Sequence, residues 1–354
     1  MTAITNSINI FAFIAFIFIS NVVKSFQPIT VQSSLVNNIF SINAQSFQQT
    51  AGDVFQFQYQ NNAVYAKWCD LISSLNHQPS TEFPFLPISF FKSHQITTTL
   101  FEPQQIFESS GTTQTINSRH LVKDNGLYKQ SFSKAFEIFY GDITKWCVIG
   151  LLPSYLERNN SSLVMMADEL IKMSNNADSG FYLYDYDRLK ETLQRLESQK
   201  QKTLLIGVTF ALLDFAETYQ MNLEYTTVME TGGMKGRRKE LTRFEVHDFL
   251  QQRLGVEHIH SEYGMTELLS QAYSKGDGIF VCPPWMKVLV RDEEDPLRVS
   301  VSGRGVLNVI DLANIYSCSF IATDDVGIVY EDGSFEVYGR LDNSDIRGCS
   351  LLVV

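Results

Sequence analysis

Between residues 127 and 260 the sequence alternates in a steady rhythm. Amphipathic stretches of helix length span 127–139, 161–173, 187–199, 211–219 and 242–254. Short apolar runs of strand length span 145–152, 181–184, 203–208, 225–229 and 256–260. Leu189, Leu193 and Leu196 recur on one helical face. Ser161 and Ser162 stand where helix N-caps stand, and Thr242-Arg-Phe-Glu245 has the spacing of a capping box. Strand-helix-strand alternation of this kind predicts a largely parallel sheet with helices over its faces, an α/β fold.

The flanks read differently. From Ile39, apolar and aromatic positions predict two amphipathic helices, ended by Phe83-Pro-Phe-Leu-Pro87, where two prolines forbid continuation. Residues 88–92 and 97–101 read as extended. Beyond Ser270 come short runs at 279–282, 286–291, 299–301, 305–310, 327–330 and 334–338, separated by Asp, Gly and Pro turns. They predict a small antiparallel β subdomain. The resulting division is an N-terminal extension over 1–38, an α/β core over 39–270 and a β subdomain over 271–354. Residues 8–19 are almost wholly apolar, short for a membrane span, with no Lys or Arg before them. We read them as an extension outside the fold; a secretory signal or a membrane anchor are the alternatives.

Composition narrows the function classes. A net charge of −11 provides no basic stripe to neutralise a nucleic-acid backbone, so a nucleic-acid partner is not expected. A nucleotide ligand remains compatible, because a local loop and a metal ion can offset its charge. Cys69, Cys147, Cys282, Cys318 and Cys349 are scattered and odd in number, which fits a reducing, cytoplasmic compartment rather than a disulfide framework or a zinc ribbon.

Five stretches carry candidate chemistry. In Phe107-Glu-Ser-Ser-Gly-Thr-Thr-Gln114, the hydroxyls of Ser109, Ser110, Thr112 and Thr113 flank Gly111. Such a loop can close around phosphate through backbone N–H groups and hydroxyls, although alone it is more often a solvated turn. Glu230-Thr-Gly-Gly233 ends a strand, and Gly232 and Gly233 offer bare backbone to a flat ring; a tight strand-to-helix turn is the alternative. In Ser261-Glu-Tyr-Gly-Met-Thr-Glu267, Tyr263 can stack on a base, Thr266 can bond a phosphate and Glu267 can hold Mg²⁺, or the stretch is a surface loop. In Ala322-Thr-Asp-Asp-Val-Gly327 and Gly339-Arg-Leu-Asp342, a carboxylate can accept both hydroxyls of a ribose, or both stretches are hairpin turns.

In this order, these stretches resemble the motifs of adenylate-forming enzymes, the superfamily of acyl-CoA synthetases and phenylacetate-CoA ligase. The hydroxyl-rich loop resembles the phosphate loop. Tyr263-Gly-Met-Thr-Glu267 resembles the Tyr-Gly-x-Thr-Glu motif. Thr323-Asp-Asp325 with Gly327 resembles the Thr-Gly-Asp-x-Gly motif, and Gly339-Arg-Leu-Asp342 the Gly-Arg-x-Asp hinge. With Ser118-Arg-His120 after the loop, the chain is most similar to LuxE-type acyl-protein synthetases.

The resemblance implies a function. ATP and Mg²⁺ would activate a fatty or other apolar carboxylic acid, with Asp325 and Arg340 on the ribose or phosphate and Glu267 on the metal. The acyl group would pass to a thiol. That thiol is Cys349, in Arg347-Gly-Cys-Ser350, followed by a partner acyl reductase; the alternative acceptor is coenzyme A or a carrier protein. Two departures stand out. Gln114 occupies a position where the family has glycine, and the sequence reaches Val354 soon after the hinge, so the lysine-bearing C-terminal domain is expected to be absent. Arg119 is the candidate replacement cation, and Lys235, Arg237, Arg238 and Lys239 form a basic run read as a solvated loop. An inactive relative that only binds nucleotide is the reading from a different class.

Overall fold

Runs such as Cys147-Val-Ile-Gly-Leu151 and Thr203-Leu-Leu-Ile-Gly207 are apolar throughout because both faces of their sheet are covered. Every residue of both strands is buried. The computed structural model describes residues 33–74, 83–109, 116–152, 160–232 and 241–341. Its strands in chain order are β1 (Leu86–Pro87), β2 (Gln105–Glu108), β3 (Arg119–Val122), β4 (Cys147–Leu151), β5 (Gly180–Phe181), β6 (Thr203–Gly207), β7 (Thr226–Glu230) and β8 (Ile259–Tyr263). There follow β9 (Ala272–Ser274), β10 (Phe280–Val281), β11 (Met286–Arg291), β12 (Val299–Ser300), β13 (Gly303–Asp311), β14 (Phe320–Val329) and β15 (Phe335–Arg340). Strands β5, β4, β6, β7 and β8 lie side by side and pair in parallel. The sheet then continues through β9, β10, β15, β14, β13, β11 and β12, all antiparallel. The antiparallel region is thus hydrogen-bonded to the parallel region across β8 and β9. Strands β2 and β3 form a separate hairpin.

Alternation along each parallel strand sorts its side chains to two cores. Val148, Leu204, Ile206 and Met229 pack on one side with Tyr128, Phe132 and Phe136 of the helix Asn125–Tyr140. Ile149, Leu205, Val228 and Ile259 pack on the other with the helices Tyr186–Ser198, Thr209–Thr218 and Arg243–Leu254. The expected caps form. The Ser161 hydroxyl accepts from Val164 N–H, and Thr242 and Glu245 make the reciprocal capping box.

Four local expectations are corrected. Residues 88–92 are not extended: Phe90–Ser93 is a helical turn that buries Phe90 and Phe91 together. Residues 97–101 form no strand, because the Thr98 hydroxyl donates to the Ser317 carbonyl, Thr99 adopts φ +73° and Leu100 points into solvent. Strand β8 runs to Tyr263 rather than ending at His260, and β14 begins at Phe320 rather than Gly327, so both polar motifs begin inside strands. Among the described residues no helix is long and apolar enough to cross a membrane; residues 8–19 lie outside them.

Candidate active site

The carboxyl ends of β7 and β8 open onto a cavity of about 800 Å³, the place where ligands sit in parallel α/β sheets. Ser109, Ser118, Thr231, Thr266, Glu267, Asp325 and Arg340 all contribute to its wall, although they come from six separate stretches of chain. Ser109 sits at the mouth of the β2–β3 hairpin. Its N–H donates to the Ser118 carbonyl at 3.1 Å, and its hydroxyl accepts from Ser118 N–H at 2.9 Å. The candidate phosphate loop is therefore the connection of a hairpin whose base is closed. Ser110, Gly111, Thr112, Thr113 and Gln114 lie outside the described residues, as do Gly233, the basic run and Cys349.

Asp325 joins two of the predicted residues. Tyr263 Oη donates to its Oδ2 at 2.8 Å, and Arg340 Nε donates to its Oδ1 at 2.9 Å. The pairing register explains the second contact, since Asp325 and Arg340 are cross-strand partners on β14 and β15. A carboxylate has about four lone-pair positions, so two remain for a ligand. The Tyr263 ring is buried between Phe280 and Phe335, with centroids 5.8 and 5.3 Å away, so its hydroxyl is the group fixed toward the cavity wall. Below the motif, the buried Arg291 guanidinium donates to the Leu307 and Thr323 carbonyls and to Asn308 Oδ1, and the Thr323 hydroxyl accepts from Asp325 N–H.

Glu267 is 5% exposed, and burial pushes its carboxyl up, partly offset by the Ser118 hydroxyl. Its backbone carbonyl accepts from Asn314 Nδ2 at 2.7 Å. Next to it, the Thr266 carbonyl accepts from His120 Nδ1 at 2.8 Å. That bond fixes the proton on Nδ1, because a carbonyl only accepts, and burial holds His120 down to about 4. Asp311 secures the segment that follows. It accepts from Leu269 N–H, Ser270 N–H and the Ser270 hydroxyl, and burial still raises its carboxyl to about 6.

Arg119 does not reach the cavity as expected. It sits 3.6 Å from Glu108 across the hairpin, whereas Lys92 and Arg340 are the cations in the wall among the described residues. Gly232 has φ +72°, a conformation that favours glycine, but Thr231 rather than Gly232 lines the cavity. The Gly232 N–H donates to Glu230 Oε2 at 2.7 Å, which also accepts from the Thr209 hydroxyl at 3.0 Å. Burial of Glu230 opposes ionisation, yet His247, Ser261, Arg243 and the Gly232 N–H together hold it down to about 2. Its stabilising contribution is therefore complete above the ordinary carboxylate range and is lost as pH falls from about 4.5 through about 2. The gap in urea midpoint between the unmodified protein and Glu230→Gln should be widest near pH 6 and narrow steadily below 4.5. A gap independent of pH would assign no stability to this carboxylate.

The acyl-protein synthetase LuxE family model matches residues 19–354. The chain belongs to this family. A long-chain-fatty-acid–luciferin-component ligase of Aliivibrio fischeri is 24% identical over 326 residues, covering 84% of this chain and 85% of that protein. The ligase of the same name from Vibrio harveyi is 20% identical and covers 84% of each. Among solved structures, a 2-hydroxyisobutyryl-CoA ligase in its postadenylation state superposes with a TM-score of 0.58, at 11% identity over 91% of this chain and 74% of that one. An ATP-bound MatB from Rhodopseudomonas palustris gives a TM-score of 0.50, at 16% identity over 66% of this chain and 47% of that one. The fold of this LuxE-family chain is accordingly that of adenylate-forming enzymes.

Sequence reasoning singled out Ser109, Thr266, Glu267, Asp325 and Arg340, which face the cavity, but not Lys92 or Gln271, which also face it, nor most of the residues that hold the motifs. The supports Arg291, Asp311 and Asn314 each contact a motif from a distant stretch, and no local pattern marks them; Glu230 instead opens the Glu230-Thr-Gly-Gly233 stretch that it braces. His120 did carry a signal, as the last residue of Ser118-Arg-His120.

Proposed function

We propose that this LuxE-family chain activates a carboxylic acid with ATP and passes the acyl group to a thiol. The observation that carries this reading is the gathering of Ser109, Thr266, Glu267, Asp325 and Arg340 around one cavity. In the first step a carboxylate oxygen of the acid attacks the α-phosphorus of ATP. The bond from that phosphorus to the bridging oxygen breaks, and pyrophosphate leaves. Positioning and charge neutralisation carry such a reaction. Asp325 would accept the ribose hydroxyls, held in place by Tyr263 and Arg340. Ser109, with Ser110, Gly111, Thr112 and Thr113, would cradle the phosphates, and Lys92 would offset their charge. Thr231 would lie on the adenine side of the cavity, with Gly232 and Gly233 next in the chain.

Glu267 and Thr266 would meet Mg²⁺ carried in with the phosphates. The described residues contain no cluster of three metal-ligating side chains, but magnesium needs only one or two protein carboxylates when phosphate and water supply the rest. A buried carboxyl whose pKa is raised fits that role, since a bound dication favours its ionised form. The ion would supply charge neutralisation at the transferring phosphoryl group.

In the second step a thiolate attacks the acyl carbonyl, the carbon–oxygen bond to AMP breaks and a thioester forms. Burial raises the thiols of Cys69, Cys147, Cys282 and Cys318, so none of these four is a ready nucleophile at neutral pH. Cys349 is the acceptor we assign, with a partner protein such as an acyl reductase receiving the group next. Coenzyme A is the second reading, and it rests on the same four inert thiols. Acid-dependent ATP–pyrophosphate exchange tests the first step; none across a broad panel of acids would leave a nucleotide-binding protein. Cys349→Ser should abolish hydroxylamine-labile labelling by a radioactive fatty acid while exchange continues. Undiminished labelling would remove Cys349 from the reaction.

A further inference from the structure

Strand β8 sends alternate side chains to opposite sides, so while Tyr263 turns toward Asp325, Glu262 enters another part of the cavity. Gln271 joins it there. An ideal Cβ on Gly264 would stand 2.4 Å from Glu262 Oε1 and 3.3 Å from Gln271 Cγ, so the two side chains converge over the bare backbone of Gly264. Gln271 is only 4% exposed, it lines the cavity, and its Oε1 has no hydrogen-bond partner among the described residues. The Glu262 side chain is half-buried and faces the cavity, with no ion pair or hydrogen bond to its carboxyl among the described residues. Directly opposite Glu262 on β9 is Tyr273, whose hydroxyl is likewise buried and unpaired.

Buried polar groups are ordinarily paired, and leaving an acceptor unmade is costly. Glu262 and Gln271 share the cavity with apolar side chains, Leu163, Met166 and Met265. A plain alkyl chain packed here would satisfy the apolar wall and strand the acceptors. We propose that Glu262 and Gln271 form a selection point for the acid, and that the preferred substrate is an aliphatic carboxylic acid bearing a hydrogen-bond donor, a hydroxyl or an amino group. Gln271 Oε1 accepts from that donor, and Glu262 accepts in either protonation state. Burial, and after it the charge of Glu230, push the Glu262 carboxyl up to about 8; either a hydroxyl or an ammonium can donate to it, the ammonium by favouring its ionised form. The inference rests on the acid-activating reading above.

The test compares decanoic acid with 2-hydroxydecanoic, 3-hydroxydecanoic, 10-hydroxydecanoic and 10-aminodecanoic acids, and butanoic acid with 3-hydroxybutanoic and 4-aminobutanoic acids. Binding to the full chain is read by thermal shift, and ATP–pyrophosphate exchange is followed in parallel. At least one donor-bearing acid should bind at least ~10-fold more tightly than its parent, since a site built to hydrogen-bond a group discriminates against the analogue lacking it. The amino acids separate an ammonium from a hydroxyl as the recognised donor. Gln271→Leu should bring the ratio toward one. Glu262→Leu is the second variant should that one fail to fold, and Glu262→Gln, which keeps an acceptor, should retain most of the preference. Equal binding of parent and derivative throughout, binding of no acid at all, or a ratio untouched by both leucine variants would overturn the proposal. A binding preference without exchange would instead remove the adenylation reading and leave the selection point standing.

Discussion

Replacing Asp325 with alanine should lower acid-dependent ATP–pyrophosphate exchange by about 10²–10⁴-fold in kcat/KM, the equivalent of losing two hydrogen bonds to a charged group. The expectation follows from where the carboxylate sits. It is 5% exposed, it is held from one side by Tyr263 and from the other by Arg340, and its own N–H is fixed by the Thr323 hydroxyl. Alanine removes the proposed ribose acceptor and also releases Arg340 from its only described ion-pair partner. Asp325→Asn separates the two effects. The amide keeps one acceptor oxygen and the side-chain volume but loses the charge that holds Arg340, so its loss should be smaller than that of alanine. Binding of the acid, measured by thermal shift without ATP, should change little, because the defect lies on the nucleotide side. Exchange at the unmodified rate in both variants would sink the assignment of Asp325.

How much of this was legible beforehand depended on whether a residue's partner lies nearby in sequence. Parallel strands were readable because double-sided burial writes itself as an unbroken apolar run, as in Cys147–Leu151. Helix ends were readable because caps are local, as at Thr242 and Glu245. The errors fell where tertiary contacts overrode local character. Ser261-Glu-Tyr263 has the composition of a loop, yet it continues β8, because one of its faces meets a polar cavity and the other packs Tyr263 among aromatic rings. Thr323-Asp-Asp325 likewise reads as a turn but runs within β14, where Arg291 beneath and Arg340 alongside compensate the charge. Thr97-Thr-Thr-Leu-Phe101 has strand propensity and forms none, because the Thr98 hydroxyl is committed to the Ser317 carbonyl. The proposed selection point was invisible for a different reason: Glu262 and Gln271 are joined by the single β8–β9 turn, but an unpaired oxygen has no sequence signature.

Gly327→Ala should destabilise the protein by about 1–3 kcal/mol or more, the cost of forcing atoms into a filled space. A Cβ at Gly327 would stand 1.9 Å from the Glu336 carbonyl oxygen, a backbone atom that no rotamer change can move. The conflict is one of space rather than of backbone conformation, since Gly327 does not adopt positive φ. It also falls at the register shift between Val326 and Gly327 in the β14–β15 pairing, the irregularity that places Asp325 opposite Arg340. The glycine of the Thr323-Asp-Asp-Val-Gly327 motif thus serves the site through the sheet: it lets two backbones close to a distance that sets the carboxylate against its arginine. Gly52→Ala is the matched control. Gly52 lies within the helix Phe47–Asn61 with nothing within 4 Å of its would-be Cβ, so alanine there should raise stability by about 0.5–1 kcal/mol. Urea midpoints read both changes. Opposite signs are expected, with exchange activity falling in Gly327→Ala beyond what the stability loss explains. A Gly327→Ala protein as stable and active as the original would mean that β14 and β15 can part without disturbing Asp325, and that the register shift does not position the site.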